Sequence, residues 1–455
     1  MVSQTLFYST NGQAPLANLR EALLRGQAPD RGLYMPVEIP RLPREEIAAM
    51  ANLPYHEIAL TVLRHYTTGV MDETKLSALC KDAYQFDVPL EHVGQHTWVM
   101  RLDRGPTASF KDFAARLMAR MLGLFVEQES RSLTILTATS GDTGSAVASA
   151  FAGVPGIRVV VLFPEHEVSR LQRKQMTTLG GNIRTVAVAG KFDDCQAMVK
   201  RAFADPSLGH LSLTSANSIN IGRLLPQIVY YYYAASRVAE PGVPLVFSVP
   251  SGNFGNMMGA VLGWRMGLPI KRLVVAVNAN DEFPRMLKTG TYEKIEPSRH
   301  CLSNAMNVGH PSNLARLVAL YGGRMDETGV LGSKPDFDAM RKDIFSTSVS
   351  DEQTRETIKS TWTQHRLLLE PHGAVAWRGF EEYLSIEPPD RSPVVVLETA
   401  HPAKFPEEIQ RCLGFSPDPP PCLRAVENLP EQFDRLSSDQ NVFREYLLDT
   451  FGPHV

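Results

Sequence analysis

Leu133-Thr-Ile-Leu-Thr-Ala-Thr139 runs into Ser140-Gly-Asp-Thr-Gly144, then Ser145-Ala-Val-Ala-Ser-Ala-Phe-Ala152, then Ile157-Arg-Val-Val-Val-Leu-Phe163. This reads as a strand, a turn, a helix of small residues and a second strand. Both strands are almost continuous apolar or β-branched runs, the mark of strands buried on both faces in a parallel sheet covered by helices. The same alternation continues outward. Pro164 stops the strand, Ser169-Arg-Leu-Gln-Arg-Lys-Gln-Met reads as a helix, and Gly180-Gly-Asn ends it before strand Ile183-Arg-Thr-Val-Ala-Val. A helix over 194–203, a strand Leu211-Ser-Leu-Thr and a helix over 223–234 follow. Pro244-Leu-Val-Phe-Ser-Val-Pro, Leu273-Val-Val-Ala-Val-Asn and Pro393-Val-Val-Val-Leu-Glu are further strands. Ligands of such sheets bind beyond the carboxyl ends of the strands. The Gly-, Asn- and Thr-rich turns of this chain fall there.

A chain of 455 residues suggests two or three domains. With 44% hydrophobic residues, 21% charged residues and a net charge of -3, the composition is that of an ordinary globular protein without a nucleic-acid face. The five cysteines (Cys80, Cys195, Cys301, Cys412 and Cys422) are scattered, and no C-x-x-C pair supports a disulfide framework or a metal site. The N-terminus lacks the pattern of a signal peptide, and no run of 18 apolar residues exists to span a membrane. The expected location is cytoplasmic. Residues 1–95 read as a largely helical accessory or cap region, from Leu16-Ala-Asn-Leu-Arg-Glu-Ala-Leu-Leu and Tyr55-His-Glu-Ile-Ala-Leu-Thr-Val-Leu. The proline-rich Ser416-Pro-Asp-Pro-Pro-Pro-Cys422 reads as a linker within a C-terminal tail over 411–455.

Four turns carry chemistry. In Gly105-Pro-Thr-Ala-Ser-Phe-Lys111-Asp-Phe, Ser109 is expected to cap a helix with Asp112 as its capping-box acid. Lys111 then lies in the first helical turn, where the positive end of the helix dipole disfavours its ammonium form and suits a Schiff-base lysine. Ser251-Gly-Asn-Phe-Gly-Asn256 joins a strand to a helix, and its glycines let backbone amides converge on an anion. It is neither a Walker loop nor a dinucleotide fingerprint. Ser140-Gly-Asp-Thr-Gly144 is a second anion-suited loop. Asn217-Ser-Ile-Asn-Ile-Gly-Arg223 groups amide, hydroxyl and guanidinium donors fit for a phosphate. Thr399, at the end of the last strong strand, offers an uncharged hydroxyl to a heterocyclic nitrogen. His401 and Lys404 follow it; a histidine before proline orders a turn, and neither is placed among the first-rank site residues. A lysine, an amide-lined phosphate cup and a neutral hydroxyl together describe a pyridoxal-phosphate site.

On these motifs, with Arg31-Gly-Leu-Tyr-Met-Pro near the start and Thr399-Ala-His-Pro-Ala-Lys-Phe near the end, the chain resembles the threonine synthase family over almost its whole length. The resemblance implies an α/β fold of two parallel-sheet αβα domains, the pyridoxal-phosphate fold type II (tryptophan synthase β-like). A large cofactor-binding domain would take 96–120 and 225–410, and a small domain 121–224. It implies conversion of O-phospho-L-homoserine and water to L-threonine and phosphate, by a monomer or homodimer. Lys111 would be the cofactor lysine and proton shuttle. Gly252, Asn253, Phe254, Gly255 and Asn256 would hold the cofactor phosphate, and Thr399 would face the pyridine nitrogen. Ser140, Gly141, Asp142 and Thr143 would meet the amino-acid end of the substrate, and Asn217, Ser218 and Arg223 its phosphate. Two departures stand out: Arg104 occupies a position where the family often has histidine, and Asp142 stands where most fold-type-II enzymes have asparagine. A carboxylate there would repel the cofactor's phenolic oxygen unless a proton is shared. The rivals are a serine/threonine dehydratase, a related phospholyase, and a cofactor-binding protein without catalysis.

Overall fold

The computed structural model describes residues 4–387 and 391–452. Its larger sheet has six strands in the order Ile344–Ser348, Ile270–Val277, Leu245–Pro250, Val394–Glu398, Thr97–Arg101, Leu90–Gly94. Each pairing is parallel except the last, an antiparallel hairpin at the edge. The smaller sheet has five parallel strands in the order Asp434–Ser437, Ile183–Ala189, Ile157–Pro164, Leu133–Ala138, Leu213–Ser215. Every residue of the inner strands Leu133–Ala138, Leu245–Pro250 and Val394–Glu398 is buried, as their unbroken apolar runs require. The 18-residue helix Lys111–Gln128 leaves the larger sheet and packs on helix Asp142–Phe151 of the smaller one. It thereby brings the carboxyl ends of both sheets to one cleft.

Three expectations need correction. The N-terminal region is not simply helical. Helices Leu19–Arg25, Tyr55–Thr67 and Glu73–Ala83 form, but a three-stranded antiparallel sheet (Ala17–Asn18, Leu6–Ser9, Tyr34–Pro36) accompanies them. Strands of two to four residues are too short to leave a period in the sequence. The segment after 411 is not a tail. Asp434–Ser437 extends the smaller sheet beside Ile183–Ala189, and helix Pro421–Glu427 packs on helix Arg170–Thr177. Helix Gln440–Phe451 buries Phe443 and Leu447 completely against the smaller sheet's helical layer. Phe443→Ala is therefore expected to cost about 3–5 kcal/mol, read as a lowered midpoint in urea unfolding. The helix expected over 223–234 is broken at Pro226 into Ile221–Leu224, a 3-10 turn and Ile228–Val238, since proline removes a helical donor.

Candidate active site

Lys111 is the first residue of its helix, but the cap differs from expectation. Ser109 makes no capping bond and its buried hydroxyl has no hydrogen-bond partner; Phe110 occupies the N-cap. The Asp112 carboxylate turns back instead, accepting from Thr107 N at 2.8 Å and Thr107 Oγ1 at 2.7 Å. This closes the Gly105–Thr107 turn, and Gly105 is required there because a Cβ would meet Asp112 Oδ2 at 2.4 Å. The segment before Lys111 is stitched to the end of strand Val394–Glu398. Phe110 N donates to Thr399 O at 2.9 Å and His401 N to Ala108 O at 3.1 Å. Lys111 and Thr399, 288 positions apart by their numbers, thus share one wall of the cleft. Burial brings the Lys111 amine down to about 8; Asp142 opposes that fall, and the charges of Arg223 and Lys404 add to it.

The loop after strand Leu245–Pro250 forms the facing wall. Phe254 takes the left-handed conformation (φ 62°) that aims the loop into helix Gly255–Arg265, whose first amides have no intrahelical acceptor. Asn253 is fixed from two sides: Nδ2 donates to Ser218 Oγ at 2.7 Å, and Oδ1 accepts from Ser312 N at 2.6 Å. Asn256 Oδ1 accepts from Tyr230 and Tyr231 hydroxyls, each at 2.6 Å, while its buried Nδ2 has no partner. A Cβ on Gly252 would meet Met306 Cα at 2.7 Å and Ala305 O at 2.9 Å. Gly252→Ala must displace the loop at about 1–3 kcal/mol, so pyridoxal-phosphate affinity is expected to fall roughly ten- to a hundredfold in a titration of the cofactor into apoprotein.

Arg223 lies in the same cleft, only 3% exposed, and makes no salt bridge to any carboxylate among the described residues. Its Nη1 donates to Ala216 O at 2.6 Å and its buried Nε has no acceptor. Burial pulls the guanidinium down to about 10, opposed only in part by the charge of Asp112 and by Tyr230. Ser218 Oγ, having accepted from Asn253, keeps its own hydrogen for an anion. Asn217 is anchored by Nδ2 to Ala138 O at 2.8 Å. Ser140, Asp142 and Thr143 line the opposite side, and Gly141, at φ 137°, shapes their turn. Apart from Gly141, every residue assigned a site role from the sequence lines this cleft.

Four side chains outside the predicted set complete it. The buried Lys404 donates to Asp142 Oδ1 at 2.8 Å, and Gln172 Nε2 donates to the same oxygen at 2.9 Å. These partners hold the Asp142 carboxyl well below its usual range although burial opposes them. Glu370, buried at the start of helix Pro371–Ile386, accepts from His372 N at 2.7 Å, Gly373 N at 3.1 Å and Thr399 Oγ1 at 3.3 Å. His372 Nε2 accepts from Ala305 N at 3.1 Å, so its proton sits on Nδ1 and is given to Glu370 Oε2 at 2.5 Å. Lys404 was legible within its motif but not its direction; Glu370 before a proline signals a helix start and nothing about the cleft. His401 orders its turn, its Nδ1 accepting from Ala403 N at 3.1 Å, and does not line the cleft.

Residues 84–399 match the family described as pyridoxal-phosphate dependent enzyme, residues 6–84 the threonine synthase N terminus, and residues 373–447 the threonine synthase C-terminal region. Threonine synthase of Haemophilus influenzae is 40% identical over 430 residues, covering 94% of this chain and 96% of its own. The chain belongs to the threonine synthase family. It is a pyridoxal-phosphate-dependent lyase of fold type II, as its resemblance implied. The crystal structure of threonine synthase from Escherichia coli aligns with a TM-score of 0.88 at 36% identity, covering 98% of this chain and 100% of that one. The pyridoxal-phosphate-bound threonine synthase from Brucella melitensis aligns at 0.90 and 35%, covering 97% and 98%. The cleft of this family member fits such a cofactor on its own terms: Asn256 Nδ2 is an orphaned buried donor, the Gly252 cradle excludes a side chain, and a buried lysine is biased towards the free amine.

Proposed function

We propose that this chain converts O-phospho-L-homoserine and water to L-threonine and inorganic phosphate, with the residue roles that follow. The observation that carries the reading is Arg223, a buried guanidinium without a carboxylate, facing the same cleft as Lys111. A buried cation that forms no ion pair in the fold is matched to an anionic ligand, and a phosphorylated substrate supplies one. Gly252 to Asn256 would hold the cofactor phosphate through backbone amides and the Asn256 amide, and Thr399 would face the ring nitrogen. When bound, pyridoxal phosphate supplies an electron sink that acidifies the hydrogen on the substrate's Cα.

The Lys111 amine takes that proton and is placed to return it at the end; between, a proton lost from Cβ drives out the γ-phosphate, a proton gained at Cγ completes the methyl group, and water adds its hydroxyl at Cβ. Arg223, with the free hydroxyl hydrogen of Ser218 and the anchored Asn217, orients the γ-phosphate and neutralises the charge that grows as it leaves Cγ. Ser140, Gly141 and Thr143 hold the amino-acid end, and Asp142 is the partner of Lys404 beside them. Scattered cysteines and the charge balance support a cytoplasmic enzyme, monomeric or homodimeric, with no nucleic-acid partner. Among the described residues no helix is long and apolar enough to cross a membrane.

The test offers purified holoenzyme O-phospho-L-homoserine and, separately, L-threonine, assaying phosphate, threonine and 2-oxobutyrate. Stoichiometric phosphate and threonine from the first substrate are expected. Release of 2-oxobutyrate from threonine without phosphate chemistry would make the chain a dehydratase instead.

A further inference from the structure

Asp142 lies between two lysines. Its Oδ1 accepts from Lys404 Nζ at 2.8 Å, and its Oδ2 stands 3.9 Å from Lys111 Nζ. Lys404 is fully buried and Asp142 is 2% exposed, so water does not screen either contact. Lys404 does not line the cleft; it reaches it through Asp142. We propose that Lys404 is a positioning residue for Lys111: by holding Asp142 through one oxygen, it keeps that carboxylate from closing on the catalytic amine. This rests on the reading of Lys111 as the cofactor-bearing lysine.

The geometry carries the argument. Oδ1 already takes two donors, Lys404 Nζ and Gln172 Nε2, which pin the carboxyl plane. A shift of about 1 Å would otherwise bring Oδ2 to charge-assisted hydrogen-bond distance of Lys111. A lysine locked in such a pair stays an ammonium and is no nucleophile. The neighbouring charges agree in sign. Lys111 is faced by Asp142, Arg223, Lys404 and Glu370, of which Arg223 and Lys404 favour the free amine. Lys404 is faced in turn by Asp142, by Asp112 on the helix that starts at Lys111, and by His401 and Cys422. The arrangement also accounts for the aspartate that replaces the usual asparagine. Paired with Lys404, the carboxylate is neutralised as part of an ion pair, so it does not confront an anionic ring oxygen as a lone charge.

The experiment follows cofactor capture. Apoprotein of the wild type, Lys404→Met, Lys404→Arg, Asp142→Asn and the double variant Lys404→Met/Asp142→Asn is mixed with pyridoxal phosphate across pH. The rise of the yellow lysine-bound band gives a midpoint for each. Lys404→Met is expected to raise the midpoint by roughly one unit or more, because Asp142 then serves Lys111 alone. Asp142→Asn is expected to lower it, Lys404→Arg to keep it near the wild type, and the double variant to match Asp142→Asn, since Lys404 then has no carboxylate to hold. Opposite shifts from the two single variants, with a double variant that matches Asp142→Asn, are a signature that two independent charges do not give, since those would add and cancel. Coincident midpoints for wild type and Lys404→Met, or single variants moving in the same direction, overturn the proposal. If Lys404→Met does not fold, Asp142→Asn decides: a midpoint that fails to fall overturns it. Lys111→Ala run alongside separates the two levels, because a yellow band retained there means that the reading of Lys111 itself has failed.

Discussion

Lys111→Ala is expected to lower turnover of O-phospho-L-homoserine by at least about a thousandfold and to abolish the visible absorbance of lysine-bound pyridoxal phosphate. Among the described residues the lysine is the one nucleophilic amine that lines the cleft, since Lys404 lies behind Asp142 and outside the lining. Lys111→Arg should be as inactive, because a guanidinium stays protonated and cannot exchange its proton near neutrality. The pH dependence has a definite sign. The amine has been brought down to about 8, so its neutral fraction grows as pH rises through that value. At pH 6 roughly one molecule in a hundred would carry a free amine, against about nine in ten at pH 9. The rate of cofactor capture by apoprotein should rise accordingly over that interval. A rate that falls between pH 7 and 9, or a band that survives Lys111→Ala, would refute the assignment.

Arg223→Ala is expected to reduce kcat/KM by roughly 10²–10⁴-fold while the cofactor absorbance is retained. What distinguishes this arginine from a structural one is the stability readout. With its charge buried, its Nε unpartnered and no carboxylate in salt-bridge distance, it costs the folded state desolvation that no ion pair offsets. Its removal should leave the melting temperature unchanged or raise it, whereas losing a structural arginine lowers it. Arg223→Lys keeps the charge but not the two-pronged geometry, and should recover only part of the activity. A large drop in melting temperature with near-normal kcat/KM would place Arg223 in the scaffold.

The inner strands were legible because a strand buried on both faces is almost continuously apolar or β-branched. Leu133–Ala138, Ile157–Pro164, Leu245–Pro250 and Val394–Glu398 all declare themselves in this way. The edge strands were not. Asp434-Arg-Leu-Ser and Ile344-Phe-Ser-Thr-Ser are mostly polar, and exposed or half-buried, because only one neighbour covers them, so neither reads as a strand and the first falls within what reads as a tail. The Ser109 cap failed for a related reason. Capping residue types were at the expected spacing, but the Asp112 carboxylate found a better pair of donors in Thr107. Likewise Asn253 and Asn256, picked as anion binders, each spend part of their hydrogen bonding on the scaffold, through Ser218 and Ser312 in one case and two tyrosines in the other.

What this sequence determines by itself is local: alternating buried strands and helices, glycine turns at strand ends, and one lysine at a helix start. Those properties follow from backbone geometry and residue type within a few positions, so spacing reveals them. The electrostatic state of the cleft belongs to the tertiary structure alone. Asp142 and Lys404 are 262 positions apart, and Thr399 and Glu370 are 29 apart, yet each pair meets in a buried volume. Whether a carboxylate repels or is neutralised, and whether an amine stays charged, depends on which side chains are desolvated together. Packing sets that, and no period or motif along the chain records it.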